Sequence, residues 1–234
     1  MGDLGIADDL EVFDRLVAVE GRTVVDAGCG AGLLSRHLLA RGARVVALEP
    51  DAVQAAAHAT GLALEPGLRF AATGAQAMPC EDASVGGVVF SKSLHHIPVA
   101  LMDDALDEAL RVLGLPDGFL YVLEPEVEGA FSALMRPFHD ETQVRTAARE
   151  ALDRLAGRRA GLVRRTIRYR NQRRFDDFEA FVRSVCGTSY NAIARARVDT
   201  PQVRESFARG QEGATGGYRF EQPMRVELFT SSPP

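Results

Sequence analysis

One glycine-rich turn constrains this chain more than any other feature. Val24-Val25-Asp26 reads as a short buried strand ending in an acid, Gly28-Cys29-Gly30-Ala31-Gly32 follows at once, and Leu33 to Arg41 has helical spacing with Gly42 as its stop. In a strand–glycine–helix connection a ligand can press against bare backbone, because no Cβ keeps it off. Ligands in open α/β sheets sit beyond the carboxyl ends of the strands, which is where this turn lies. The spacing is GxGxG. The dinucleotide fingerprint GxGxxG would need its third glycine one place later, at Leu33. The turn therefore speaks against a nicotinamide oxidoreductase. Taken alone, it is equally compatible with a tight connection that holds no ligand.

The pattern around the turn sets the fold class. Leu10, Phe13, Leu16 and Val17 recur at helical spacing, and Gly21 can close that helix. Further strands are expected at Arg44 to Glu49, Leu68 to Ala72, Val85 to Ser91 and Phe119 to Glu124. Helices are expected from Asp51, as a cap, through Ala59, and over Val99 to Leu113. Strands alternating with helices predict a parallel sheet covered on both faces. Beyond residue 125 the pattern changes. Phe131 to Ala156 reads as helix, in two pieces around Pro137. Val163 to Phe175 is extended and polar, and Asp176 to Val185 is an amphipathic helix with an acidic cap. Met224 to Thr230 is a last strand with Pro223 at its start. The expectation is a single α/β domain over 1–234: a Rossmann-like, mostly parallel sheet of seven strands with helices on both faces. Residues 20–125 form its core, 126–222 an acceptor-side insertion and 223–231 the last strand.

A second acid makes the turn more specific. Glu49 ends the next strand, 23 residues after Asp26. In nucleotide-binding α/β folds an acid about 20 residues on accepts hydrogen bonds from ribose hydroxyls. Two acids at neighbouring strand ends are costly to bury without donors, and a ribose diol supplies donors for one of them.

These residues resemble a known family. Asp26-Ala-Gly-Cys-Gly-Ala-Gly resembles the first motif of class I S-adenosylmethionine-dependent methyltransferases, and Val46-Ala-Leu-Glu49-Pro resembles their second. Ala75-Gln-Ala-Met-Pro-Cys-Glu-Asp-Ala-Ser-Val is similar to their "AExLPFPDxSF" stretch. Ser93-Leu-His95-His96-Ile97, Ala109-Leu-Arg-Val-Leu and Asp117-Gly-Phe-Leu are similar to the "LHH" and "RVLKPGG" segments of the ubiquinone/menaquinone and natural-product group. The ordered set spans roughly residues 20–125 and is specific for fold and cofactor, not for the acceptor. The resemblance implies S-adenosyl-L-methionine as cofactor and S-adenosyl-L-homocysteine as product. It places Gly28, Cys29 and Gly30 beside the cofactor's amino-acid part, with Asp26 bracing that loop or the ammonium. It places Glu49 on the ribose, Pro50 and Asp51 along the adenine, Ala75 and Gln76 at the adenine edge, and Ser91 under the sulfonium end. Three positions depart from the family: Gly74 stands for an Asp that reads the adenine amino group, Gln76 for a Glu, and Gly86 for an Asp. The first departure leaves adenine recognition to backbone groups.

Methyl transfer from a sulfonium asks for proximity and alignment more than for acid–base groups. A base matters only if the acceptor arrives protonated. The candidates are His95 and His96 after the fourth expected strand, Glu124 after the fifth, and His139 in the variable region. For His96 a packed or helix-capping role is the competing reading, and Glu124 can equally be a structural acceptor. Arg164, Arg168, Arg170 and Arg174 would share one face of a strand. They suit an anionic acceptor, although such runs are usually solvated faces.

Composition closes off other classes. No apolar run approaches the roughly 20 residues of a membrane span. The first nine residues carry acids instead of a basic, apolar leader, so a cytoplasmic protein is expected. Cys29, Cys80 and Cys186 are far apart and His95 and His96 are adjacent, so neither a disulfide nor a metal site is expected. Net charge is −12 over residues 1–157 and +7 over 158–234, which reads as two parts that attract each other or as a basic wall over an anionic acceptor. A nucleic-acid substrate fits poorly: the whole chain is acidic, with no Trp and four Tyr, and it lacks the Asn/Asp-Pro-Pro-aromatic motif. The expected partner is a small molecule, acted on by a monomer or homodimer. Two alternatives stay open: a non-catalytic cofactor- or partner-binding protein on the same fold, and, more weakly, an RNA methyltransferase.

Overall fold

A computed structural model describes residues 2–59, 61–159, 161–187, 191–212 and 216–231. Its strands are β1 (Gly2–Ile6), β2 (Thr23–Ala27), β3 (Arg44–Leu48), β4 (Leu68–Ala71), β5 (Gly87–Ser91), β6 (Phe119–Pro125), β7 (Leu162–Phe175) and β8 (Tyr218–Ser231). Its α-helices are α1 (Asp9–Leu16), α2 (Leu33–Ala40), α3 (Ala52–Ala59), α4 (Met102–Val112), α5 (Ala130–Met135), α6 (Thr142–Arg158), α7 (Phe178–Cys186), α8 (Arg195–Val198) and α9 (Pro201–Ala208). The strands form one sheet in the order β1-β7-β8-β6-β5-β2-β3-β4. β4, β3, β2, β5 and β6 run parallel, while β8 is antiparallel to both its neighbours.

The middle strands are buried on both faces, which is why they read as unbroken apolar runs. On one face Val25, Val46, Val88, Phe90 and Val122 pack with Leu106 and Ala109 of α4 and Leu152 of α6. On the other, Val24, Val45, Val89 and Tyr121 pack with Phe13 of α1 and Leu38 of α2. A third apolar cluster joins Leu134, Phe181, Val203 and Phe207 of α5, α7 and α9 to Phe220 on β8. It lies within the expected insertion and is separate from the two sheet cores. Caps are local: Asp8 accepts from Leu10 N (2.8 Å), Asp51 from Gln54 N (2.9 Å) and Asp177 from Ala180 N (2.7 Å).

The sheet has eight strands, not seven. The added one, β1, pairs in parallel with β7, Gly2 opposite Ile167. Five residues whose partner lies more than 160 positions away show no periodicity of their own. β8 also begins earlier than expected, at Tyr218, with Pro223 inside it. The Pro223 carbonyl accepts from Glu126 N (2.9 Å), one place beyond the last β6 pair, Pro125–Met224. The N–H that proline lacks would have met the Glu126 carbonyl, which accepts instead from Gln222 Nε2 (2.9 Å) and Arg145 Nη1 (3.2 Å), so the ring leaves no acceptor unpaired. The first helix stops at Val17 instead of running to Gly21.

Candidate cofactor and acceptor site

Chain order reverses at β2. β3 and β4 lie to one side of it and β5 and β6 to the other, so the carboxyl end of β2 sits at a topological switch point, where open sheets bind ligands. The turn after β2 is held from beneath: Gly28 N and Cys29 N both donate to the Leu48 carbonyl at the end of β3, at 2.9 Å. Gly28 has φ +81°, and a Cβ there would stand 2.6 Å from the Ser93 Cβ. Ser93 in turn donates to the Ala27 carbonyl (2.5 Å). Gly30 is different. It has φ +52°, and a Cβ there would meet nothing within 4 Å. One glycine lets the loop close on β5; the other presents open backbone.

Glu49 binds this loop. It is buried, its Oε2 accepts from Gly30 N (2.8 Å), and its Oε1 accepts from Asp51 N (2.9 Å). Each carboxylate oxygen keeps a further lone pair for another donor. Asp26 is fully buried beneath the loop. Its Oδ2 accepts from Ser35 Oγ (2.6 Å), while its Oδ1 has no partner within the protein. Burial, with the nearby Glu49 charge adding to it, pushes its carboxyl up to about 6 despite the Ser35 bond. His58 on α3 is buried against the same turn, with Nε2 2.5 Å from the Gly30 carbonyl and 3.7 Å from the Cys29 sulfur. Burial, with the nearby Asp26 and Glu49 charges adding to it, pushes the Cys29 thiol far up, so it is not a thiolate.

The remaining sequence candidates lie at or just after the carboxyl ends of β3, β4 and β5. Pro50 is exposed beyond β3, and Ala75 is buried in the loop after β4. A Cβ on Gly74 would fall within 2.9 Å of the Gln76 carboxamide, so that amide fills the space a side chain at 74 would take. Ser91 is half-buried at the end of β5, paired with Leu123; Ser93, two residues on, is the one that touches the glycine turn.

The second group lies at the ends of β5 and β6. His95 is buried in the first of two short 3₁₀ turns after β5. Its Nδ1 bonds Glu124 Oε2, and Glu124 Oε1 accepts from Leu94 N (3.0 Å). Its Nε2 faces Glu141 Oε1 at 3.6 Å. Glu141, just before α6, also meets His139 Nε2 (2.9 Å) and Arg145 Nη2 (2.6 Å). Burial alone would lower His95, but the charges and hydrogen bonds of Glu124 and Glu141 outweigh it and push the ring up to about 9. Burial would raise Glu141, yet the bonds from His139 and His95 and the charges of His95 and Arg145 hold it far below the carboxylate range. His96 lies tilted by 42° against His95, with ring centroids 4.1 Å apart, and is exposed. Desolvation of its ring and the His95 charge push it down to about 4.

A cleft open to solvent adjoins this group, lined among others by Glu124, Glu126, Arg145, Arg149, Arg225 and Glu227. The arginine stripe of β7 does share a face, but it is matched from within. Arg164 binds Glu227 and Asp153 at 2.6 Å, and Arg168, Arg170 and Arg174 lie 3.5, 3.8 and 3.9 Å from Glu126, Glu221 and Glu212. Sequence reasoning missed Ser93, His58, Glu141 and Arg145. It also missed Asp9, which joins Lys92 (2.7 Å), Tyr169 (2.7 Å) and Asn171 (2.8 Å) across three elements. Of these only Ser93 stood inside a quoted motif.

Residues 24–118 match the family model for a methyltransferase domain. Over that stretch, about two fifths of its length, the chain carries a methyltransferase domain. A curated relative, the ubiquinone biosynthesis O-methyltransferase of Methylocella silvestris, is 33% identical over 84 residues, which cover 34% of this chain and 31% of the relative. The match thus spans about a third of that methyltransferase's length. Among solved structures, a methyltransferase-like protein from Bacillus halodurans aligns with TM-score 0.63 and 16% identity over 95% of this chain and 98% of its own. A geranyl diphosphate methyltransferase in complex with S-adenosylmethionine aligns with TM-score 0.54 and 18% identity, over 93% of this chain and 83% of its own. At these identities the structural matches speak for the methyltransferase fold. Among the described residues no helix is long and apolar enough to cross a membrane.

Proposed function

We propose that this chain binds S-adenosylmethionine on the β2–β3 side of the sheet and transfers its methyl group to an O, N or C nucleophile of a small metabolite on the β5–β6 side. One observation carries the reading: a buried carboxylate, Glu49, bonds Gly30 N at 2.8 Å beside open glycine backbone at the switch point of the sheet. The residues present fit the cofactor. Glu49 has acceptor capacity left for a ribose diol, the Asp26 Oδ1 lacks a donor, and Gly30 leaves space. Gly28, Cys29 and Gly30 would frame the amino-acid part, Pro50, Ala75 and Gln76 the adenine, and Ser91 the sulfonium end. When bound, the cofactor supplies an activated methyl group on a positive sulfur.

The protein's contribution is alignment. His95 stays protonated at neutral pH and His96 stays neutral with a weak basicity, so neither ring is matched to proton removal at pH 7. Glu124 spends both oxygens on His95 and Leu94 N. His95 and Glu124 therefore read as a rigid wall of the acceptor site, with His96 exposed beside them. The insertion over 126–222 supplies the other wall. Arg149, which lines the cleft, suits an acceptor with an anionic group, whereas Arg225 is already paired with Glu227.

The test is a metabolite extract incubated with the protein and methyl-deuterated S-adenosylmethionine, read by mass spectrometry. A metabolite that gains one labelled methyl in proportion to protein supports the proposal. Bound cofactor with no labelled product in any fraction would favour the non-catalytic alternative.

A further inference from the structure

We propose that His95, His96 and Glu141 hold one divalent first-row transition cation, of the zinc or cobalt class, beside the acceptor cleft, which they adjoin through Glu124 and Arg145. Each residue offers one donor atom, and the three atoms lie within 4.8 Å of one another. Ligands about 2.1 Å from a shared tetrahedral ion sit about 3.5 Å apart, so the set must draw in by about an ångström on binding. Two imidazoles and one carboxylate with positions to spare suit such ions, not magnesium or calcium.

The surroundings are built as a metal site's would be. Bound histidines donate their second ring N–H to a carboxylate, which fixes tautomer and ring direction. Here Glu124 takes the His95 Nδ1 proton and is itself held by Leu94 N, so Nε2 is aimed at Glu141. Arg145 occupies the Glu141 Oε2 at 2.6 Å and leaves Oε1 turned to the histidines. His139 Nε2, 2.9 Å from that same Oε1, lies outside the donor set and helps to fix the carboxylate. The exposed His96 is the way in. On binding, the cation takes the place of the proton between His95 Nε2 and Glu141 Oε1, and that proton leaves to solvent. The Arg145 charge opposes the ion, and the Glu124 and Glu141 carboxylates offset it.

The role of the ion rests on the methyl-transfer reading, although its binding does not. A cation with an open position would accept an acceptor oxygen, lower its pKa and release it as the nucleophile, a task neither histidine is placed to do alone.

The experiment is cobalt(II) titration of the full chain, followed by visible absorption, with metal analysis after gel filtration. One equivalent per chain is expected. His96→Ala removes an exposed ring, should keep the thermal melt, and should lose at least about 10-fold in affinity. Glu124→Gln should lose about 10–100-fold through its effect on His95. Unchanged affinity in His96→Ala, no retained metal in the parent protein, or a thiolate-to-cobalt absorption band placing the ion on cysteine would each overturn the proposal. S-adenosylmethionine binding is measured on the same samples. Its absence with cobalt retained would sink the methyl-transfer reading and leave the cation site standing.

Discussion

The two halves of the site are made in opposite ways. On the β2–β3 side, the carboxylate of Glu49 is satisfied by backbone N–H groups a few residues from strand ends, at Gly30 and Asp51. On the β5–β6 side, His95 is satisfied by carboxylates from two other elements, Glu124 and Glu141, and Glu141 by His139 and Arg145 besides. The first half is short-range geometry with little charge to balance beyond two acids. The second is a buried ion network that staples α6 to the sheet. Backbone-built sites tolerate changes in distant residues, whereas charge-built sites fail when one partner goes.

The sharpest way to break this contrast is Glu141→Gln. It strands His95, His139 and Arg145, and should cost about 3–4 kcal/mol in urea denaturation, while S-adenosylhomocysteine affinity falls little in the molecules that stay folded. A loss below about 1 kcal/mol would show that the network is not a staple. Next comes pH. The His95 ring is raised in the folded protein, so its stabilisation is complete below the ordinary value of 6.5 and is lost as pH rises through about 9. Glu141 behaves oppositely, being lowered, and its share is lost only in acid. Between pH 6.5 and 9.5 the parent protein should lose about 2–3 kcal/mol that His95→Asn does not lose. Parallel curves for the two proteins would contradict the assignment. Gly28→Ala sharpens the other half. Its Cβ meets Ser93 at 2.6 Å in a left-handed conformation, for an expected cost of about 2–3 kcal/mol. Ser93→Gly should recover only the steric part of that cost, so the double variant separates crowding from backbone strain.

The contrast also explains what could be read from the chain beforehand. Asp26, the glycines and Glu49 announce themselves because each lies within a strand or the turn that follows it; that Glu49 bonds Gly30 N is what the structure adds. The alternation of strands and helices over 20–125 was legible for the same reason. β1 was not, since its only signal is the partner it pairs with on β7. Nor was Glu141: it is one of 32 acids, and nothing nearby in sequence marks it as the one that meets His95, 46 positions earlier. The arginines of β7 misled in a milder way. Their shared face was visible, but the matching acids on β8 and elsewhere were not.

The central claim concerns the side chain at position 49, and calorimetric titration of S-adenosylhomocysteine into the parent protein and Glu49→Ala addresses it directly. Saturable binding by the parent and a loss of roughly 1–2 kcal/mol, about ten-fold, in the variant is the predicted result. No heat from the parent at saturating ligand, or equal affinity in the two proteins, would contradict it.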